Sequence, residues 1–156
     1  MNIFVTNDCP VESAKHLDDK RVVKMILETA QMLSTALRYY NVDVGYKSTH
    51  LNHPCNVWAR QNQSNFIWLY QHGIALCKEY TLRYGKYHKS EQLIRGLLIY
   101  KNNLPEGKRT PFPNCAANKS LGINYKNMAD VFKAYQLYLN DRWDKDKRQP
   151  TWYGKG

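Results

Sequence analysis

The stretch VVKMILETAQML, residues 22–33, decides how this chain is read. Val22, Ile26, Ala30, Leu33 and Leu37 recur at spacings of four, four, three and four, which draws one apolar face on an α-helix. Asp18 and Asp19 suit the positive N-terminal end of that helix and Arg38 the other end, so the pattern predicts a helix over about 18–40. Away from the apolar face, Lys24, Glu28, Gln31 and Thr35 form a polar stripe, with Arg21 at its edge. Between Lys20 and Val42, Glu28 is the single acidic residue. As a solvated i,i+4 partner of Lys24 it would contribute only about 0.2–0.5 kcal/mol, and Lys before Glu is the weaker order. A stripe flanked by Met25, Met32 and Leu27 can instead floor a pocket, with Glu28 as its chemical group. Periodicity alone favours the surface pair.

Outward from this helix, the segment 41–60 reads as a loop with Gly45 and Pro54. A second helix is predicted over Ser64–Arg83, ended by Tyr84-Gly85. A third, shorter helix is predicted over 90–100. The stretch 101–126 holds three prolines and many Asn and reads as a long irregular connection, the kind that often carries function. A fourth helix is predicted over Met128–Trp143, followed by a basic, aromatic tail at 144–156. No hairpin signal stands out. The reading is all-α: one compact domain of about four helices with long irregular connections, spanning 1–156.

The chain of 156 residues is long enough to bury a core. No apolar run approaches the roughly 20 residues that span a bilayer, and the start, MNIFVTNDCP, lacks the basic and apolar regions of a signal peptide. An intracellular protein with no membrane partner is expected. Cys9, Cys55, Cys77 and Cys115 are scattered without a CxxC pair, and are expected to be reduced and largely buried. His50 and His53 lie three apart, but no cysteine pair or HExxH context accompanies them, so no metal and no cofactor is expected.

The net charge of +10 draws phosphates, on nucleic acid or on a free nucleotide. Twelve tyrosines and four tryptophans, many beside Lys or Arg, supply faces on which bases stack. Arg60, Tyr84, His88 and Lys89 form a candidate phosphate site around the end of the second helix, against the alternative of a solvated helix terminus. His53 is a candidate ligand-binding or supporting residue, or it orders the loop before Pro54. Trp152 and Tyr153 are either a stacking lid or a docked anchor.

A family comes into view through an ordered set of short motifs. LDDKRVVKMILETAQML (17–33), Asn52-His53-Pro54, CKEYTLRYGKYHKSE (77–91) and QPTWYGKG (149–156) resemble, in that order, the endonuclease V-like pyrimidine-dimer DNA glycosylases, and within them small phage-encoded members of unassigned role. The resemblance implies an all-α fold and cleavage of an N-glycosidic bond. It places the catalytic carboxylate on Glu28. Breaking a C1′–N bond leaves positive charge on the sugar, which one nearby carboxylate stabilises while it orients or deprotonates a nucleophile. Arg21 and Lys24 could then hold phosphate, Gln31 a base or water, and Asn2 could reach the site.

In the family the nucleophile is the α-amine of a small residue exposed by removal of the initiator Met. Here Asn2 is too large for that removal, so Met1 is expected to stay, and Leu27 stands where the family carries an arginine. These departures favour plain hydrolysis over lyase chemistry. The sequence reading is therefore an N-glycosidase acting on a nucleotide immune signal, such as a cyclic dinucleotide or an ADP-ribose derivative, in the cytoplasm of an infected bacterial host. The alternatives are a DNA base-excision glycosylase of the pyrimidine-dimer type and a non-catalytic nucleotide-binding protein.

Overall fold

In the computed structural model, which describes residues 1–153, the apolar face drawn above is the centre of the molecule. Val22, Ile26, Ala30, Leu33 and Leu37 are fully buried on α2 (Asp19–Tyr39). They pack chiefly against α4 (Gln63–Tyr84), whose Phe66, Leu69 and Leu76 are equally buried. The two long helices approach closely at Gly73. A Cβ there would stand 2.9 Å from Cγ2 of Thr29, inside van der Waals contact, so this residue permits the packing distance.

The remaining helices brace this pair. Helix α1 (Pro10–His16) lies on α4, and α3 (Pro54–Arg60) lies on α2. Each begins with proline at its first position, where the missing N–H has no intrahelical partner to lose. Neither helix was anticipated; at seven residues each they are too short for a periodicity signal. Helix α5 (Glu91–Leu97) runs on into a 3₁₀ segment, Leu98–Asn103. Helix α6 is Val131–Lys145, with Asp130 capping it through the Lys133 amide. The four helices read from sequence are thus four of six among the described residues. The absence of a hairpin also needs correction. Ala117–Asn118 (β1) and Ile123–Asn124 (β2) pair antiparallel, joined by a turn that closes on Gly122 in the left-handed region at φ 69°. Among the described residues, no helix is long and apolar enough to cross a membrane.

Two polar clamps fix the chain ends to this frame. At the N-terminus, Asn2 Oδ1 accepts from the Ile3 and Phe4 amides and from the Tyr135 hydroxyl, while its Nδ2 donates to the Cys115 carbonyl. The Cys115 amide in turn donates to Tyr135 Oη at 3.0 Å. Near the C-terminus, Asp19 receives the Thr151 hydroxyl and the Tyr153 amide and also pairs with the buried Arg83. Trp152 packs edge-on to Trp143 and donates to the His16 carbonyl. Residues 154–156 of the basic tail lie outside the described residues.

Candidate active site

The stripe of α2 faces a cleft. Met1, Val23, Lys24, Leu27, Glu28, Gln31, His50, His88 and Lys89 line a hollow of about 510 Å³. One wall comes from α2. The turn after α4 brings the second: Gly85 caps α4 at φ 68°, its amide bonding to the Thr81 carbonyl, and the reversed chain lays His88 and Lys89 against Val23 and Lys24. The loop at His50 brings the third. His50 holds φ 49°, uncommon for a non-glycine residue. Its carbonyl is pinned by the Asn56 side chain at 2.7 Å and the His53 amide at 2.9 Å. The clamp around Asn2 delivers Met1 as the fourth.

Glu28 sits where these pieces meet. Its side chain is only 14% exposed, with Oε1 3.6 Å from the Met1 α-amine and Oε2 3.9 Å from Lys24 Nζ. The carboxylate is therefore shared between two cations. Lys24 is 70% exposed, so its attraction is screened by water and is weak. The Met1 side chain is only 2% exposed while the residue as a whole is half-buried, so its main-chain end, with the amine, is the part that opens onto the cleft beside Glu28. Thr35, the last member of the stripe, lies under the loop and accepts from the Thr49 amide.

Of the residues singled out from sequence, Lys24, Glu28, Gln31, His88 and Lys89 line the cleft. His53 lies just behind it. Its Nδ1 accepts the Cys55 amide as the N-cap of α3. Burial lowers the His53 pKa, helped by the Met1 amine and His50 and opposed by Glu28. His88 is likewise lowered by burial, against a hydrogen bond to the Val23 backbone. Tyr84 is one ring removed, tilted at 34° against Tyr80, which meets His88 edge-on.

The others are engaged elsewhere. Arg21 is buried and paired with Asp18 and Asp146 at 3.1 and 3.0 Å, so it turns away from Glu28. Arg60 lies over the Tyr39 ring and donates to the Leu51 carbonyl. Asn2 is absorbed in the N-terminal clamp, and Trp152 is docked on Trp143, while Tyr153 stays exposed. His50 was missed as a site residue because a loop histidine carries no periodicity. Its signal was its place beside the Asn52-His53-Pro54 cap.

Behind the amine lies a cluster that spacing alone concealed. His53, Cys55 and Cys115 converge, one ligand atom from each lying within 4.8 Å of the others. All four cysteines are free, with Cys55 and Cys77 buried, Cys115 half-buried and Cys9 exposed. A hydrogen bond from Cys55, together with Lys126 and the Met1 amine, brings the Cys115 thiol down to about 7, while the Cys55 thiol is pushed up. Desolvation raises Cys77 to about 12.

This geometry can stabilise a sugar cation with one carboxylate, offer an amine to an electrophilic carbon and grip phosphate from one rim. A family model described as pyrimidine dimer DNA glycosylase matches residues 1–94. No curated protein and no solved structure gives a significant match. The matched span contains Met1, Glu28 and the whole lining of the cleft. It covers more than half of the 156 residues, and on that match the chain belongs to the pyrimidine dimer DNA glycosylase family.

Proposed function

We propose that the protein is a DNA base-excision glycosylase for damaged pyrimidines, with Glu28 and the Met1 α-amine as its working pair. The observation that carries this reading is the 3.6 Å approach of that amine to Glu28 Oε1 in a half-enclosed cleft. Family membership favours DNA over the free nucleotide preferred from sequence. So does the cationic rim of the cleft, where Lys24 and Lys89 flank His88 and can hold the phosphates on either side of an extruded nucleotide.

The reaction follows from the pair. A nucleotide extruded from the duplex brings its C1′ to the amine. Glu28 takes a proton from the ammonium, and the freed nitrogen bonds to C1′. The C1′–N bond breaks, its electrons leave with the base, and the base takes the proton that Glu28 had accepted. The carboxylate so restored stabilises the cationic sugar adduct. The C1′–O4′ bond then breaks, its oxygen taking a proton from the attached nitrogen through Glu28, which leaves a protonated imine between Met1 and the sugar, from which strand scission can follow. Water in place of the amine gives simple hydrolysis, with Glu28 as general base.

The test is incubation with ultraviolet-irradiated duplex DNA, cyclic dinucleotides and ADP-ribose derivatives, with assay of base release and with borohydride added in parallel. The proposal expects release from irradiated DNA and a borohydride-trapped adduct on the N-terminal peptide. Release without trapping would move the chemistry to water. Release only from free nucleotides would restore the immune-signal reading, and binding without release would make the protein a sequestering one.

A further inference from the structure

The geometry points to a thiolate metal site, formed by His53, Cys55 and Cys115, that takes a zinc-class cation directly behind the Met1 α-amine. Three potential ligand atoms lie within 4.8 Å of one another, contributed by the start of α3 and by a segment sixty residues further along. Tetrahedral zinc, with bonds of about 2.3 Å to sulfur and 2.0–2.1 Å to nitrogen, holds its ligand atoms roughly 3.5–3.8 Å apart. The cluster therefore needs to contract by at most about an ångström. Cys55 is fully buried while His53 and Cys115 are half-buried, so the site is enclosed and still reachable. Two sulfurs and an imidazole select a soft or borderline cation and disfavour magnesium or calcium.

The histidine is already in the required tautomer. Its Nδ1 accepts the Cys55 amide at 3.1 Å, so in the neutral ring the proton sits on Nε2 and the one Nδ1 lone pair is engaged by the α3 cap. A cation replaces that amide at Nδ1. Asn2 Nδ2 donates to the Cys115 carbonyl at 3.3 Å, which holds the N-terminal residue on the side of the cluster that faces Glu28. The Met1 α-amine is the donor assigned to the fourth position, and acylation of that amine tests the assignment separately from the three-residue site. On the proposed glycosylase reading, which only this consequence rests on, a loaded site withdraws the nucleophile from Glu28 and silences the enzyme.

The test needs no DNA. The reduced full-length protein is titrated anaerobically with cobalt(II), and the near-ultraviolet thiolate charge-transfer band and the intense visible bands of a tetrahedral site are followed. One equivalent is expected to saturate both. Cys115→Ser, at the half-buried ligand, is expected to abolish the band while helical circular dichroism is kept, and Cys9→Ser is expected to retain it. Acylation of the Met1 amine by an amine-reactive ester, read on the N-terminal peptide, is expected to fall at least tenfold with one equivalent of zinc in the parent protein and not in Cys115→Ser. Absence of the charge-transfer band, or its persistence in Cys115→Ser, overturns the site. A Cys55–Cys115 disulfide in air together with no cobalt binding after reduction also overturns it, in favour of a redox pair. A cobalt band with acylation unchanged by zinc overturns the amine as fourth ligand.

Discussion

A single carboxylate between the Met1 amine and an exposed lysine makes Glu28 testable in isolation. Glu28→Gln keeps the size and hydrogen-bonding capacity of the side chain and removes its charge. It is expected to slow base release by on the order of 10²–10⁴-fold with the melting temperature and DNA affinity little changed. Unchanged turnover would return Glu28 to being a surface partner of Lys24. Asn2 offers the complementary experiment. Its Oδ1 serves two amides and a hydroxyl, so Asn2→Ala leaves donors unpaired and is expected to cost about 1–3 kcal/mol in urea unfolding. Asn2→Asp, which keeps Oδ1-type acceptors, should lose less. At this scale the sequence was half legible. Helical spacing aligned Lys24, Glu28 and Gln31, because residues on one helix keep a fixed geometry. It misjudged Arg21, on the same stretch, because Asp146 approaches from the far end of the chain. It could not register the meeting of Cys115 with His53, which exists only after folding.

Elements follow the same division. The cores of α2 and α4 were readable since each is long and its apolar positions repeat. The short helices α1 and α3 were lost among turn residues, though a proline at the first position marked each. Where α2 and α4 cross, Gly73 sits one residue's breadth from the turn that carries Glu28. Gly73→Ala would gain up to about 1 kcal/mol of helix propensity, but its methyl must displace the Thr29 side chain. Overpacking of this kind typically costs about 1–3 kcal/mol. A net loss of stability is expected in urea unfolding, with base release falling further than stability alone explains because Thr29 adjoins Glu28. Equal or greater stability with full activity would show that the crossing has slack.

Across the whole molecule, charge and protonation set the working conditions. The net charge of +10 implies that affinity for duplex DNA drops steeply and log-linearly with salt, checked by fluorescence anisotropy between about 50 and 200 mM salt. A flat dependence would disconnect the charge from the substrate. Stability should respond to acid through His72. This residue is buried against Trp68, its Nδ1–H donates to the Pro10 carbonyl, and its Nε2 has no partner. Desolvation lowers its pKa from 6.5 to about 4. The unfolded chain thus takes up this proton first as pH falls. Its contribution is whole above about 6.5 and is lost on the way down to about 4, by about 3 kcal/mol at one pKa unit per 1.4 kcal/mol. Urea unfolding at the two ends of that window should show the drop, and His72→Phe should shrink it. The enclosure of Met1 reaches beyond the folded molecule. A formyl or acetyl group on the first residue, or a peptide bond joining it to an affinity tag, would neutralise the nitrogen beside Glu28 and push extra atoms into the cleft. If the amine is the nucleophile, as proposed, removal of such a group activates the enzyme, and a purification handle belongs on the opposite end of the chain.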